Sequence, residues 1–286
     1  MSKLADRRLS ARETRALLAR ERLETTRASG FTFQEAAPRR SYAPHTHTRH
    51  QLLYAIEGTA TLEADAATYL LPPQRAGFIP AGVKHVTSLG NANVVCLFLD
   101  RRLVRVRSEQ RRVSVIDVTP LLREMIQFAV RWPSARRARD PLANAYFRAF
   151  GLLLEEWLTK ECAYRLPRGQ SRVVKRAIEL TIQHAGVIEL PALCRAVGAS
   201  QRTLRRHLQA ETGLGFRELS STARVLRAME LLAQAESSVT AVALAVGFDS
   251  PSAFAKRFTL VAGESPSAFR ARSRPAAGLE ARAAER

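Results

Sequence analysis

The tripeptide Ala-Val-Gly closes a short amphipathic helical run at 196–198 and another at 245–247, and a capping residue and a second amphipathic run follow each copy. This repeat constrains the fold more than any bulk property of the chain. Each unit reads as helix, turn, helix. Gly198 and Gly247 supply the backbone freedom of a tight helix–helix turn, and Ser200 and Asp249 or Ser250 can cap the helix that follows. Leu204 and Leu208 are four apart, as are Phe254 and Phe258, so each pair faces inward. Facing outward are Arg202, Arg205, Arg206 and Gln209 in the first unit, and Ser252, Ala255, Lys256 and Thr259 in the second. Together with Ser200, Gln201 and Ser250 at the helix starts, these are the groups expected to reach phosphates and base edges in a major groove. On an isolated helix such arginines read as a solvated face; the twofold pattern argues for double-stranded DNA.

The charge points the same way. Forty-five Lys and Arg against 26 Asp and Glu leave +19 over 286 residues, which calls for an anionic partner. Residues 41–100 hold 3 basic and 4 acidic groups, whereas 101–169 hold 15 and 7 and 170–286 hold 17 and 10. A nucleic-acid binder needs cations only where phosphate lies, so the neutral block is expected to do another job. Cys96, Cys162 and Cys194 are far apart with no CxxC spacing, which excludes a disulfide framework and a cysteine zinc site. No run approaches the ~18 apolar residues of a membrane span. The N-terminal residues have no apolar core behind their basic groups, so a secretory signal is not expected and a cytoplasmic protein is.

Read along its length, the chain is expected to be an α+β protein with distinct parts. Residues 1–30 are Arg- and Glu-rich with a helical rhythm of leucines, and are expected to form a mobile helical arm. Residues 31–115 carry short β-prone runs with turn residues every 8–12 positions, as in a sandwich or small barrel. Residues 116–166 turn to helical period, with Asp140-Pro141 opening a helix. Its stripe of Leu142, Tyr146, Phe150, Leu153, Leu154 and Trp157 either pairs with a second chain or packs on the barrel. Residues 167–170 read as a linker, 171–272 as the helical domain, and 273–286 as a disordered tail.

From 171 to 270 the chain resembles the AraC/XylS family of bacterial transcription regulators. The resemblance rests on both Gly-turn units, on Gly213 with Phe216, on the long helix between the units, and on the closing Gly263, Ser265, Pro266, Phe269 and Arg270. It implies two helix-turn-helix units on one face of the duplex, reading major-groove segments about one helical turn, ~34 Å, apart. Leu208 and Cys194 depart from the usual Phe and Ala as volume-tolerant core changes. Pro251 and Ala253 leave the second reading helix poor in hydrogen-bonding side chains, so the first unit is expected to supply more of the base readout.

Within the neutral block, His45-x-His47-x-x-x-Gln51 and Gly77-x-x-Pro80-x-Gly82-x-x-His85 resemble the two cupin motifs. The resemblance implies a jelly-roll barrel with the three histidines inside, in the position where AraC-type regulators bind a small-molecule effector. His45, His47, Gln51, Tyr54 and His85 are the candidate effector residues, with Tyr69 and Phe78 as further lining. Three imidazoles suit a divalent transition metal, but Gln51 stands where cupin enzymes usually carry Glu. Metal binding by His45, His47 and His85, polar contact with an effector, and a structural role all remain open.

The expected function is therefore sequence-specific transcription regulation by a homodimer, controlled by a small molecule in the N-terminal barrel. Activation would add a contact with RNA polymerase, which no residue announces. The rival is a cupin-type metal-dependent enzyme with an accessory helical domain; the missing Glu and the absence of nucleophile, Walker or dinucleotide motifs count against it. A non-specific basic nucleic-acid binder would not need paired units with glycine turns.

Overall fold

The computed structural model describes residues 7–64, 67–107, 111–160, 166–167, 169–234 and 238–273. The chain divides into two compact units, residues 1–168 and 169–286.

In the first unit, the runs at 51–56 and 93–99 are apolar without alternation because both faces of their strands are buried. The sheet comprises β1 (Arg7–Arg8), β2 (Gly30–Ser41), β3 (His50–Ala64), β4 (Ala67–Leu71), β5 (Arg75–Ile79), β6 (Val86–Leu99), β7 (Ser114–Asp117) and β8 (Leu166–Pro167). β3 is its hub. β6 runs antiparallel along one edge, from His50↔Leu99 to Glu63↔Val86, while β5 and then β4 share the other. Irregular pairing at 55–59, with Gly58 at φ +71°, bends the strand midway. By the two-residue period of a strand, Leu52, Tyr54, Val95, Leu97 and Leu99 face one way and Gln51, Leu53, Val94, Cys96 and Phe98 the other.

The first of those faces packs under α2 (Pro120–Ala129) and α3 (Pro141–Leu158), each opened by a side-chain cap, Thr119 or Asp140, and a first-turn proline. Phe150 and Leu154 of the expected α3 stripe are fully buried against this face, beside Phe147. Leu142 and Leu152 instead stand 61% and 62% exposed. The sheet also runs past the expected boundary at 115, since Ile116 and Asp117 complete β7.

The second face of β3 is closed by α1 (Ala11–Arg20), and here the expectation of a mobile arm is corrected for residues 7–30. Ser10 and Glu13 form a reciprocal capping box: the Glu13 N–H donates to Ser10 Oγ (3.2 Å) and the Ser10 N–H donates to Glu13 Oε2 (2.8 Å). Buried Thr14 accepts from the Ala43 N–H at 3.0 Å, and Leu23 is 1% exposed. The Arg49 guanidinium then donates to the carbonyls of Leu23, Thr26 and Ala28. An arm held at both ends has lost the freedom its polar composition suggested. Residues 1–6 lie outside the described residues, as does the expected disordered tail from 274.

The second unit is helical: α4 (Arg172–Gln183), α5 (Leu190–Val197), α6 (Gln201–Thr212), α7 (Phe216–Gln234), α8 (Val239–Ala245), α9 (Pro251–Ala262) and α10 (Pro266–Ser273). Both Ala-Val-Gly turns close in the same way. The Ala199 N–H donates to Cys194 O and that of Gly198 to Arg195 O, as those of Phe248 and Gly247 donate to Ala243 O and Leu244 O. Gly198 (φ +69°) and Gly247 (φ +82°) take the left-handed backbone this turn requires. Arg224 of α7 reaches two turns at once, donating to Gly186 O (3.1 Å) and Gly247 O (2.5 Å). Phe248, Phe254, Phe258 and Phe269 make a continuous aromatic core with ring centroids 5.3–5.5 Å apart.

Candidate functional site

His45, His47 and His85 converge. His45 and His85 exchange backbone hydrogen bonds at 3.0 Å each way, and their rings lie 4.3 Å apart. One nitrogen from each of the three histidines lies within 4.8 Å of the others. The Nδ1 atoms sit 2.9, 2.7 and 3.0 Å from the carbonyls of Ala43, Arg49 and Val83 respectively. A carbonyl only accepts, so Nδ1 of His45 and of His85 carries the hydrogen and Nε2 presents a lone pair, whereas His47 has an acceptor beside each ring nitrogen. Burial favours these neutral forms: it lowers all three pKa values and takes His85 down to about 3.

The Gln51 amide spans His47 Nε2 (2.9 Å) and Cys96 Sγ (3.3 Å). The amide oxygen faces the imidazole and the amide nitrogen donates to the Cys96 sulfur. Burial pushes that thiol up to about 12, which keeps it protonated. Three imidazoles are a donor set for a divalent transition metal, with Nε2 of His45 and His85 free and that of His47 released from Gln51 on binding. Buried His85 Nε2 has no hydrogen-bond partner among the described residues, so the cluster fits such an ion.

Beside the cluster opens a narrow cleft with a cavity volume of about 30 Å³. His45, Gln51 and Cys96 form one wall; Leu17 and Leu18 of α1 cover it; Phe33, Leu53 and Phe98 line its depth. Tyr42 and Glu35 add a polar corner, where the Tyr42 hydroxyl and the Arg40 guanidinium both donate to the Glu35 carboxylate. Tyr54 is not brought to this cleft. It is three residues from Gln51, so the strand turns it to the opposite face, where it packs with Phe78 under the helices. Tyr69 is buried in β4 and does not line the cleft. The sequence reading missed Glu35, Tyr42 and the α1 leucines. For α1 the signal was available: Ser10-x-x-Glu13 ahead of Leu17 and Leu18.

In the second unit, α6 and α9 present matching faces. Arg202, Arg205, Arg206 and Gln209 are exposed, as are Ser252, Lys256 and Thr259 at the equivalent positions, with Ala255 half-buried. Gln201 is exposed at the start of α6. Ser200 Oγ accepts from the Thr203 N–H and Ser250 Oγ from that of Ala253, so both serines serve as helix caps. Gln209 donates to Gly213 O at the end of α6.

Residues 29–149 match the model of the AraC-like ligand binding domain, and residues 193–272 match that of a helix-turn-helix domain. Together these matches cover more than two thirds of the chain. The chain belongs to the AraC family of transcription regulators. It is 28% identical over 233 residues to the HTH-type transcriptional regulator NimR of Escherichia coli (strain K12), covering 80% of this chain and 82% of that one. With the HTH-type transcriptional activator RhaR of Klebsiella pneumoniae it shares 32% identity over 88 residues, 31% of each chain. Among solved structures it is similar to ToxT of Vibrio cholerae O395, at 13% identity and a TM-score of 0.37 over 87% of this chain and 98% of that one. As a member of the family the chain is a DNA-binding regulator with a ligand-binding, cupin-like N-terminal domain, which overturns the rival reading as an enzyme. Among the described residues no helix is long and apolar enough to cross a membrane.

Proposed function

We propose that the effector occupies the cleft beneath α1, with His45 and Gln51 on its polar wall and His47 and His85 clustered with His45 behind it. Occupancy there changes the DNA affinity of α6 and α9. The observation that carries this reading is the cleft itself: an apolar recess with one polar wall, built from the motif residues and closed by a separately anchored helix. A sensor must bind its ligand with different affinity in its two DNA-binding states, and family-independent couplings run at ~1–3 kcal/mol. A divalent transition metal held by His45, His47 and His85 would supply a Lewis-acid anchor for an effector oxygen or nitrogen. The unpartnered His85 Nε2 favours that arrangement. Operators are first located by a genome-wide binding map and coupled to a reporter. His47→Ala is then expected to abolish the response to inducer while effector-free operator binding stays unchanged; a wild-type dose response would place sensing elsewhere.

DNA contact on this reading comes from Gln201, Arg202, Arg205, Arg206 and Gln209 of α6 and from Ser252, Ala255 and Lys256 of α9, with the caps Ser200 and Ser250 near phosphate. The regulator acts as a homodimer in the cytoplasm, and an activator would also meet RNA polymerase. The dimer contact is assigned to the outer face of α3. There Leu142, Ala145, Ala149 and Leu152 are all exposed and recur at steps of three, four and three, the spacing of a two-helix seam. Leu152→Glu should yield monomers in sedimentation; a persistent dimer moves the contact elsewhere.

A further inference from the structure

The cleft offers acceptors and almost no donors. Among the described residues that line it there is no lysine or arginine, although the chain holds 45 of them. It does include two acidic groups, Glu21 at the rim and Glu35 inside, the latter 8% exposed. The donors present are already engaged. The Tyr42 hydroxyl donates to Glu35, and the Gln51 amide donates to Cys96 Sγ while its oxygen faces His47. Thr87 leaves one hydroxyl. His45 Nε2 remains as a free acceptor, and the Glu35 carboxylate, which already accepts from Arg40 and Tyr42, adds negative charge, between the aromatic walls of Phe33 and Phe98. An anion moved into this recess would lose its hydration without gaining a counter-ion, a cost of several kcal/mol in general. A molecule that brings its own N–H groups would complete the acceptors already there.

We infer that the effector is a compact, largely apolar molecule carrying an amine or other N–H donor, and that carboxylates and phosphates are excluded. This rests on the cleft being the effector site. Arg40 is the counterweight: it offsets Glu35 from outside the lining, so its removal should strengthen the preference rather than weaken it.

The test uses the full chain, stripped of metal by chelation, with the neutral fluorophore N-phenyl-1-naphthylamine as reporter of the cleft. Competitors share one aromatic body: phenethylamine, 2-phenylethanol and 3-phenylpropanoate. Phenethylamine is expected to displace the reporter at least about tenfold more effectively than 3-phenylpropanoate, with the alcohol between them. Glu35→Gln should shrink that ratio below about threefold, and Arg40→Gln should widen it. A carboxylate that competes as well as the amine, or a ratio that ignores Glu35→Gln, overturns the inference. Leu18→Trp fills the cleft from the half-exposed helix α1, so it spares the core and separates the two failures. If Leu18→Trp abolishes reporter binding and no amine preference exists, the cleft stands and the ligand class is wrong. Should the reporter never bind, or bind Leu18→Trp normally, the cleft reading fails and takes the inference with it.

Discussion

The histidine-lined cleft and the reading helices use polar side chains in opposite ways. At the cleft and the histidine cluster beside it, His45, His47, His85, Gln51 and Tyr42 are buried or nearly so and are held by hydrogen bonds to backbone, to each other or to Glu35. On α6, Arg202, Arg205 and Arg206 are exposed, and only Gln209 of the outward face is bonded within its helix. A buried array recognises by complementarity, because a guest must match groups whose orientations are already set. An exposed array attracts by charge first and selects afterwards, since long arginine side chains settle only against their partner. The two units should therefore respond differently to backbone damage, acid and charge removal.

The largest effect is expected at Gly186. Its φ is +72°, and a Cβ there would meet Ser220 O at 2.1 Å, backbone against backbone. Gly186→Ala should cost about 3 kcal/mol or more and unfold the helical unit, seen as loss of far-ultraviolet ellipticity and of operator binding. Acid should act on the other unit. Burial takes His50 down to about 4 and His85 to about 3, and lowers His45 and His47. A folded-state pKa below the unfolded value near 6.5 means that the unfolded chain binds more protons in between. Stability is then complete above about pH 6.5 and is lost as pH falls, on the order of 3 kcal/mol for each of His50 and His85 by pH 4. Both tryptophans, Trp132 and Trp157, lie in the first unit. Their fluorescence should report a transition between pH 6.5 and 5 while helical ellipticity changes less; a simultaneous loss would show that the units do not titrate separately.

Charge removal comes next in size. Arg205→Ala and Arg206→Ala should each weaken operator binding by ~1–3 kcal/mol with ellipticity intact. Fluorescence anisotropy on operator and random duplexes separates base contact, which affects the operator alone, from phosphate contact, which affects both. Unchanged affinity in both variants would remove α6 as a reader. The smallest effect is expected at Gly198, where φ is +69° but nothing lies within 4 Å of the place a Cβ would take. Gly198→Ala should cost only about 1 kcal/mol, measured by chemical denaturation. A loss as large as that of Gly186→Ala would mean that this turn is packed as tightly as the other.

The same contrast explains what was legible in the sequence. Helix, glycine turn and cap are local, so α5, α6, α8 and α9 follow from spacing alone, and so do the residues that share their outer faces. The cleft is assembled from distant segments. His45, His47 and His85 were recoverable through their motif, but Glu35 and Cys96 reach the cleft only because β2 and β6 pair across more than fifty residues. Tyr54 was misplaced for want of the period-two rule applied from Gln51. The α3 stripe was left between two roles because helical period marks an apolar face without saying what covers it. Phe150 and Leu154 are core, and Leu142 and Leu152 are exposed.

Arg224 has a consequence for how operators for this regulator can change. By holding the Gly186 and Gly247 carbonyls with one guanidinium, α7 works as a fixed strut between two turns. The pitch between the two readers is then set by a single rigid part, whereas the letters they read depend on separate surface side chains. Adding one base pair between the two contacted segments rotates the second by roughly a tenth of a turn, which a strut of this kind cannot follow. New operators are accordingly reachable by exchanging bases within each segment and closed to insertion or deletion between them.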